Sequence, residues 1–77
     1  MTVTVYSTPT CPYCKQAKEF LKQKGIPFND LDVTTDQKLV EEMIKKSGQM
    51  GVPVIDVDGT IIVGFDKKKL EKTLGSA

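Results

Sequence analysis

The chain has no histidine, only two cysteines, almost no excess charge of either sign and no long apolar run. Its 77 residues carry 11 basic and 10 acidic side chains, a formal net charge of +1. A nucleic-acid-binding surface is strongly basic, so this balance argues against one. No apolar stretch is long enough to span a bilayer, and none at the start has the pattern of a secretory leader. These absences predict a soluble cytoplasmic protein with neither nucleic acid nor membrane as partner. Structural zinc sites take four Cys or His ligands; two cysteines without histidine leave any site within one chain two ligands short. Internal repeats, low-complexity segments and linkers are also missing. At this length residues 1–77 form one domain, near the lower size at which a core sustains itself.

What is present centres on Thr10-Cys11-Pro12-Tyr13-Cys14, which holds both cysteines at C-x-x-C spacing. The run before it, Thr2 to Tyr6, alternates Thr with β-branched or aromatic residues and predicts a strand. The run after it, Lys15 to Lys24, places Ala17, Phe20 and Leu21 at helical spacing. The motif therefore sits where a strand ends and a helix begins. The first helical turn leaves backbone N–H groups unpaired and carries a partial positive charge, which stabilises a nearby thiolate, the nucleophilic form of cysteine. Pro12 fits the first helical position, where its missing N–H costs nothing. That puts Cys11 at the cap, facing solvent. Cys14 lies one turn in, on the face of Ala17 and Leu21 that is expected to be buried. The pattern predicts an exposed attacking sulfur at Cys11 and a shielded resolving sulfur at Cys14, with Lys15 and Lys18 adding positive charge nearby. A structural disulfide is the competing reading, but closing so short a loop removes little unfolded-state entropy.

Gly25 is expected to close the first helix. A second strand follows over 28–33, so residues 2–33 form a β-α-β unit with parallel strands. Thr34 and Gln37 suggest a capping box for a second helix, with Leu39, Val40, Met43 and Ile44 as its apolar face and Ser47-Gly48 as its end. Lys38, Lys45 and Lys46 look like a solvated face. Gln49 to Pro53 form a loop into a strand over 54–57. Asp58-Gly59 is a strong hairpin signal, returning residues 60–63 as an antiparallel fourth strand. Asp66 is a plausible cap for a last helix with Leu70 and Leu74 facing in, and Gly75-Ser76-Ala77 should fray. The order β-α-β-α-β-β-α predicts an α/β fold: a four-stranded mixed sheet with helices on both faces.

Three separated landmarks now stand together: Cys11-Pro12-Tyr13-Cys14 after the first strand, Val52-Pro53 before the third, and Gly64-Phe65-Asp66 before the last helix. In this order they resemble the glutaredoxin family of the thioredoxin superfamily, and most of all its short bacterial members. The resemblance implies a thiol–disulfide oxidoreductase with no bound cofactor. Cys11 and Cys14 would be catalytic and would close a redox disulfide with each other. Tyr13 would flank the bound thiol compound, and a cis Pro53 would leave Gly51-Val52 free to pair with a ligand peptide. Gly64, Phe65 and Asp66 would hold the γ-glutamyl end of glutathione at a helix start. Glutathione is then the expected co-substrate, disulfide-containing proteins the substrates, and a monomer the expected state. Two departures matter. Many glutaredoxins carry a basic residue where this chain has Thr8 and another where it has Gln49, and many carry Gly-Gly in place of Val63-Gly64. An alternative keeps the chemistry but draws electrons from a flavoprotein such as thioredoxin reductase, serving a protein such as ribonucleotide reductase. A third reading, a dimeric metal or iron–sulfur module, is disfavoured by Pro12 and by the second cysteine.

Overall fold

The computed structural model describes residues 2–49 and 51–75. Met50, in the expected loop, and Ser76 and Ala77, in the expected frayed end, lie outside the described residues. The order of elements is β1 Val3–Ser7, α1 Pro12–Gln23, β2 Asn29–Asp32, α2 Gln37–Ser47, β3 Val54–Val57, β4 Thr60–Val63 and α3 Lys67–Gly75. The four strands make one mixed sheet in the order β2-β1-β3-β4. β1 and β2 are parallel, with Thr4 opposite Asn29 and Ser7 opposite Asp32. β1 and β3 are antiparallel, as are β3 and β4.

Strand periodicity sorts the side chains between the two faces. One face carries Val3, Val5, Ile55, Val57 and Ile62, covered by Ala17, Phe20 and Leu21 of α1 and Leu70 of α3. The other carries Tyr6 and Val54 beneath Met43 of α2. Leu21 and Ile55 are fully buried, and truncating side chains of this kind to alanine typically costs about 2–5 kcal/mol.

Local chemistry sets the element ends. After α1, Gly25 takes a positive φ of 69°. Its N–H donates to the Lys22 carbonyl, and the Ile26 N–H donates to the Leu21 carbonyl, the paired bonds of a Schellman stop. At the β3–β4 hairpin Asp58 and Gly59 have φ of 50° and 94°, both positive as a type I′ turn requires.

The start of α2 differs from the expected Thr34–Gln37 capping box. The Asp32 carboxylate accepts both the backbone N–H and the hydroxyl of Thr34, which holds Thr34 in a turn and keeps the Asp32 carboxyl below its usual range. The cap is Asp36, whose side chain accepts the Lys38 N–H at 2.9 Å. Lys46 does not belong to the expected solvated face. Instead of pointing into solvent, its Nζ lies 2.9 Å from both the Tyr6 hydroxyl and Asp56 Oδ2. The Tyr6 hydroxyl in turn donates to Glu42 Oε2 at 2.9 Å. Tyr6 is only 1 % exposed, and a hydroxyl brought under a helix needs partners; Glu42 and Lys46, one turn apart on α2, supply them. Those contacts hold the Lys46 ammonium well above its ordinary range, the Tyr6 hydroxyl being the larger cause.

Candidate functional site

The two cysteines occupy opposite ends of the first turn of α1. Cys11 is the cap, with extended backbone (φ −87°, ψ 112°), and Pro12 follows in the first turn. Cys11 Sγ accepts the Cys14 backbone N–H at 3.2 Å, so it meets one of the donors that a helix start leaves unpaired. Cys11 is half-buried, whereas Cys14 is fully buried, on the same face as Ala17 and Leu21. Burial is the largest influence on Cys14 and pushes its thiol up to about 11, because a thiolate there would lose its hydration. The hydrogen bond it shares with Cys11 and the charge of that sulfur push the same way, while a backbone hydrogen bond from Thr8 and the Lys18 ammonium oppose them.

A second segment meets the first turn from across the sheet. The Cys11 thiol approaches the Val52 carbonyl at 3.8 Å, and the Val52–Pro53 peptide bond is cis. Val52 is half-buried and Pro53 buried. A third segment is tied to the second: the Gly64 N–H donates to the Pro53 carbonyl at 2.8 Å. Gly64 has a φ of 77°, and a Cβ built there would meet nothing within 4 Å, so its positive φ is what favours glycine. The three landmarks that are far apart in sequence thus form one connected arrangement at one end of the sheet.

The remaining predicted residues lie around it. Among the described residues Tyr13 is the most exposed of the large hydrophobics, at 60 %, beside Cys11 on the helix. Gly51 is exposed, and a Cβ there would lie 3.0 Å from the side-chain nitrogen of Gln49; the Gln49 amide folds against this loop. Asp66 caps α3, accepting the Lys69 N–H at 3.1 Å. The Phe65 ring packs edge-to-face on Phe20, with centroids 5.9 Å apart, so it faces the layer between α1 and α3. Lys18 does not reach freely toward the sulfurs: its ammonium pairs with Asp30 Oδ2 at 3.1 Å, and the other Asp30 oxygen accepts the hydroxyl of the buried Ser7. Sequence periodicity carried no sign of Thr8 as a neighbour of both cysteines. Its carbonyl accepts the Cys11 N–H, and only the turn joining β1 to α1 brings it there. Among the described residues no cluster of three or more Cys, Asp or Glu side chains is gathered closely enough to hold a metal ion.

This geometry has counterparts of known kind. The glutaredoxin family model matches residues 3–62. Glutaredoxin 3 of Escherichia coli is 44 % identical over 64 residues, 83 % of this chain and 77 % of that protein. An uncharacterized glutaredoxin-like 8.6 kDa protein from the rubredoxin operon of Clostridium pasteurianum is 54 % identical over 72 residues, 94 % of this chain and 96 % of that one. Among solved structures, a glutaredoxin from Archaeoglobus fulgidus superposes with a TM-score of 0.88 at 30 % identity, covering 94 % of this chain and 84 % of its own.

Proposed function

The chain belongs to the glutaredoxin family and is a thiol–disulfide oxidoreductase of that kind; from that premise we propose that Cys11 attacks, Cys14 resolves and glutathione supplies the electrons. The observation that carries this reading is the unequal placement of the two sulfurs, one reachable at the helix cap and one sealed a turn below. The Cys11 thiolate attacks one sulfur of a disulfide R–S–S–R′. A Cys11–S–R bond forms and R′S⁻ leaves. The Cys14 thiolate then attacks Cys11 Sγ, RS⁻ leaves, and the two cysteines are joined. The cysteine pair gives up two electrons, and its two protons end on the two released thiols. Two molecules of glutathione restore the dithiol and become glutathione disulfide.

The order of events follows from the chemistry of Cys14. With its thiol near 11, only about one molecule in ten thousand holds it as thiolate at pH 7. Two of the causes that hold it there, the hydrogen bond with Cys11 and the charge of that sulfur, weaken once Cys11 Sγ is tied up in a mixed disulfide. Cys14 is thus quiet until its partner has reacted. For binding, the Val52 peptide group beside Cys11 suits strand-like pairing with the peptide part of glutathione. Tyr13 suits packing against it, and the start of α3 around Gly64 to Asp66 suits its γ-glutamyl carboxylate and amine. The protein then acts as a single-domain cytoplasmic monomer; among the described residues no helix is long and apolar enough to cross a membrane.

A second source of electrons, a flavoprotein reductase, is favoured by one specific feature. Thr8 and Gln49 are neutral, so the ligand carboxylates lose two cations that would pair with them. The deciding experiment is reduction of a protein disulfide with either glutathione or purified thioredoxin reductase and NADPH as sole electron source. Turnover with glutathione and none with the reductase supports the reading given; the reverse result overturns the choice of reductant.

A further inference from the structure

The formal charge of +1 hides a strongly polarised surface. All 11 basic residues are lysines, and eight of them lie on α1, its C-terminal cap Lys24 and α3, accompanied only by Glu19, Asp66 and Glu71. The rest of the chain holds three lysines against seven carboxylates. α1 and α3 cover the same face of the sheet, so even with Asp30 of β2 paired to Lys18 on that side a positive excess is gathered there.

Its position is informative. β1 and β4 are both antiparallel to β3. Their C-terminal ends therefore lie at the same end of the sheet, and α1 and α3 both start there. Cys11 begins one helix; Lys67, Lys68 and Lys69 fill the first turn of the other, with no acidic residue in that turn. Cations at a helix N-terminus oppose the macrodipole, so these three lysines do not serve the helix they stand on. All three are exposed, and none of the three takes part in the ion pairs of Lys18 with Asp30 or Lys46 with Asp56. The link from Cys11 through Val52–Pro53 reaches Gly64, three residues before Lys67, so the chain passes from the segment beside the dithiol directly into this turn.

We infer that the first turn of α3 is a docking and steering surface for protein substrates that carry Asp or Glu beside their reducible disulfide. The inference rests on the proposed role of Cys11 and names the substrate class of that site. A long polyanion such as a nucleic acid fits less well, because the seven carboxylates elsewhere repel it.

The test uses the reduced protein as sole electron donor and three disulfide-bonded peptides that differ only in flanking residues: acidic, neutral or basic. 2-Hydroxyethyl disulfide, small and uncharged, reports the dithiol chemistry alone. Steered association weakens with salt, so the acidic peptide should exceed the basic one in rate constant by about tenfold at 50 mM salt and by no more than about twofold at 0.5 M. Reversing the three charges (Lys67→Glu, Lys68→Glu, Lys69→Glu) should remove that preference. The neutral peptide and 2-hydroxyethyl disulfide should keep their rates, and the thermal midpoint should hold or rise, since acids suit a helix start. Lys68→Glu alone should move the preference the same way by less. Equal rates for acidic and basic peptides with 2-hydroxyethyl disulfide still reduced would overturn the docking surface alone. Failure to reduce 2-hydroxyethyl disulfide as well would overturn the dithiol reading and this inference with it. Suppression of acidic-peptide reduction by a DNA oligonucleotide at physiological salt would assign the face to another polyanion and overturn the proposal.

Discussion

The two ends of the first turn of α1 contain the same side chain in opposite circumstances. At the cap, Cys11 is half-buried, meets the Cys14 N–H at 3.2 Å and adjoins the Val52 carbonyl. Three residues on, Cys14 is sealed between helix and sheet, and its thiol is pushed up to about 11, chiefly by burial. The difference is made by the helix: the cap faces outward while the third residue beyond it turns toward the core. On that difference rests the proposal that Cys11 meets the disulfide and Cys14 releases it.

The comparison is broken most severely at Cys11. Cys11→Ser should abolish disulfide reduction to below about one part in a thousand of the parent rate, because a serine hydroxyl is not ionised at neutral pH and Cys14 is inaccessible; a stopped assay with a peptide disulfide checks it. Cys14→Ser should act less drastically. It should trap a mixed disulfide at Cys11, visible as a mass adduct, and lose efficient reduction of protein disulfides while keeping glutathione-dependent removal of glutathione from a mixed disulfide. If Cys14→Ser matches the parent on a protein disulfide, the resolving role is wrong.

A subtler effect sharpens the comparison through stability. The folded thiol of Cys14 is raised, so the folded reduced protein holds that proton more tightly than the unfolded chain does. The corresponding stability is fully present below the ordinary thiol range, about 8.5, and is lost as pH climbs toward about 11, a difference of up to about 3 kcal/mol. The urea midpoint of the reduced parent should therefore fall more steeply between pH 8 and 10.5 than that of Cys14→Ser; parallel curves would contradict the burial account.

The smallest effect falls on the opposite face of the sheet. Lys46→Met removes the bridge from α2 to Tyr6 and Asp56. It should cost about 1 kcal/mol, the scale of one net hydrogen bond or a partly exposed ion pair, read as a lower urea midpoint. The alkylation rate of Cys11 should not change.

How much of this was legible in the sequence depended on the range of the forces involved. Local rules placed β3 and β4 at their observed limits, because Asp58 and Gly59 leave the hairpin one register, and placed Cys11 as the cap because Pro12 favours the first helical position. The apolar spacing of Ala17, Phe20 and Leu21 identified the buried face and with it Cys14. Where two side chains compete, the sequence was ambiguous. Thr34 and Asp36 are both competent caps, and the choice fell to Asp36 because Asp32 captures Thr34. Lys46 looked solvated because its partners Tyr6 and Asp56 lie 40 and 10 residues away, on strands whose pairing no local pattern records. The gathering of lysines on one face was hidden for the same reason: net charge is a sum over the chain, and polarity is a property of the fold.

The inequality of the two sulfurs is tested most directly by measuring their alkylation separately. Reduced protein exposed to iodoacetamide at pH 7, quenched at intervals and mapped by mass spectrometry, gives one rate for each cysteine. Cys11 should react at least about a hundredfold faster than Cys14, which is shielded and almost wholly protonated. Comparable rates at the two positions in the folded protein would contradict the account.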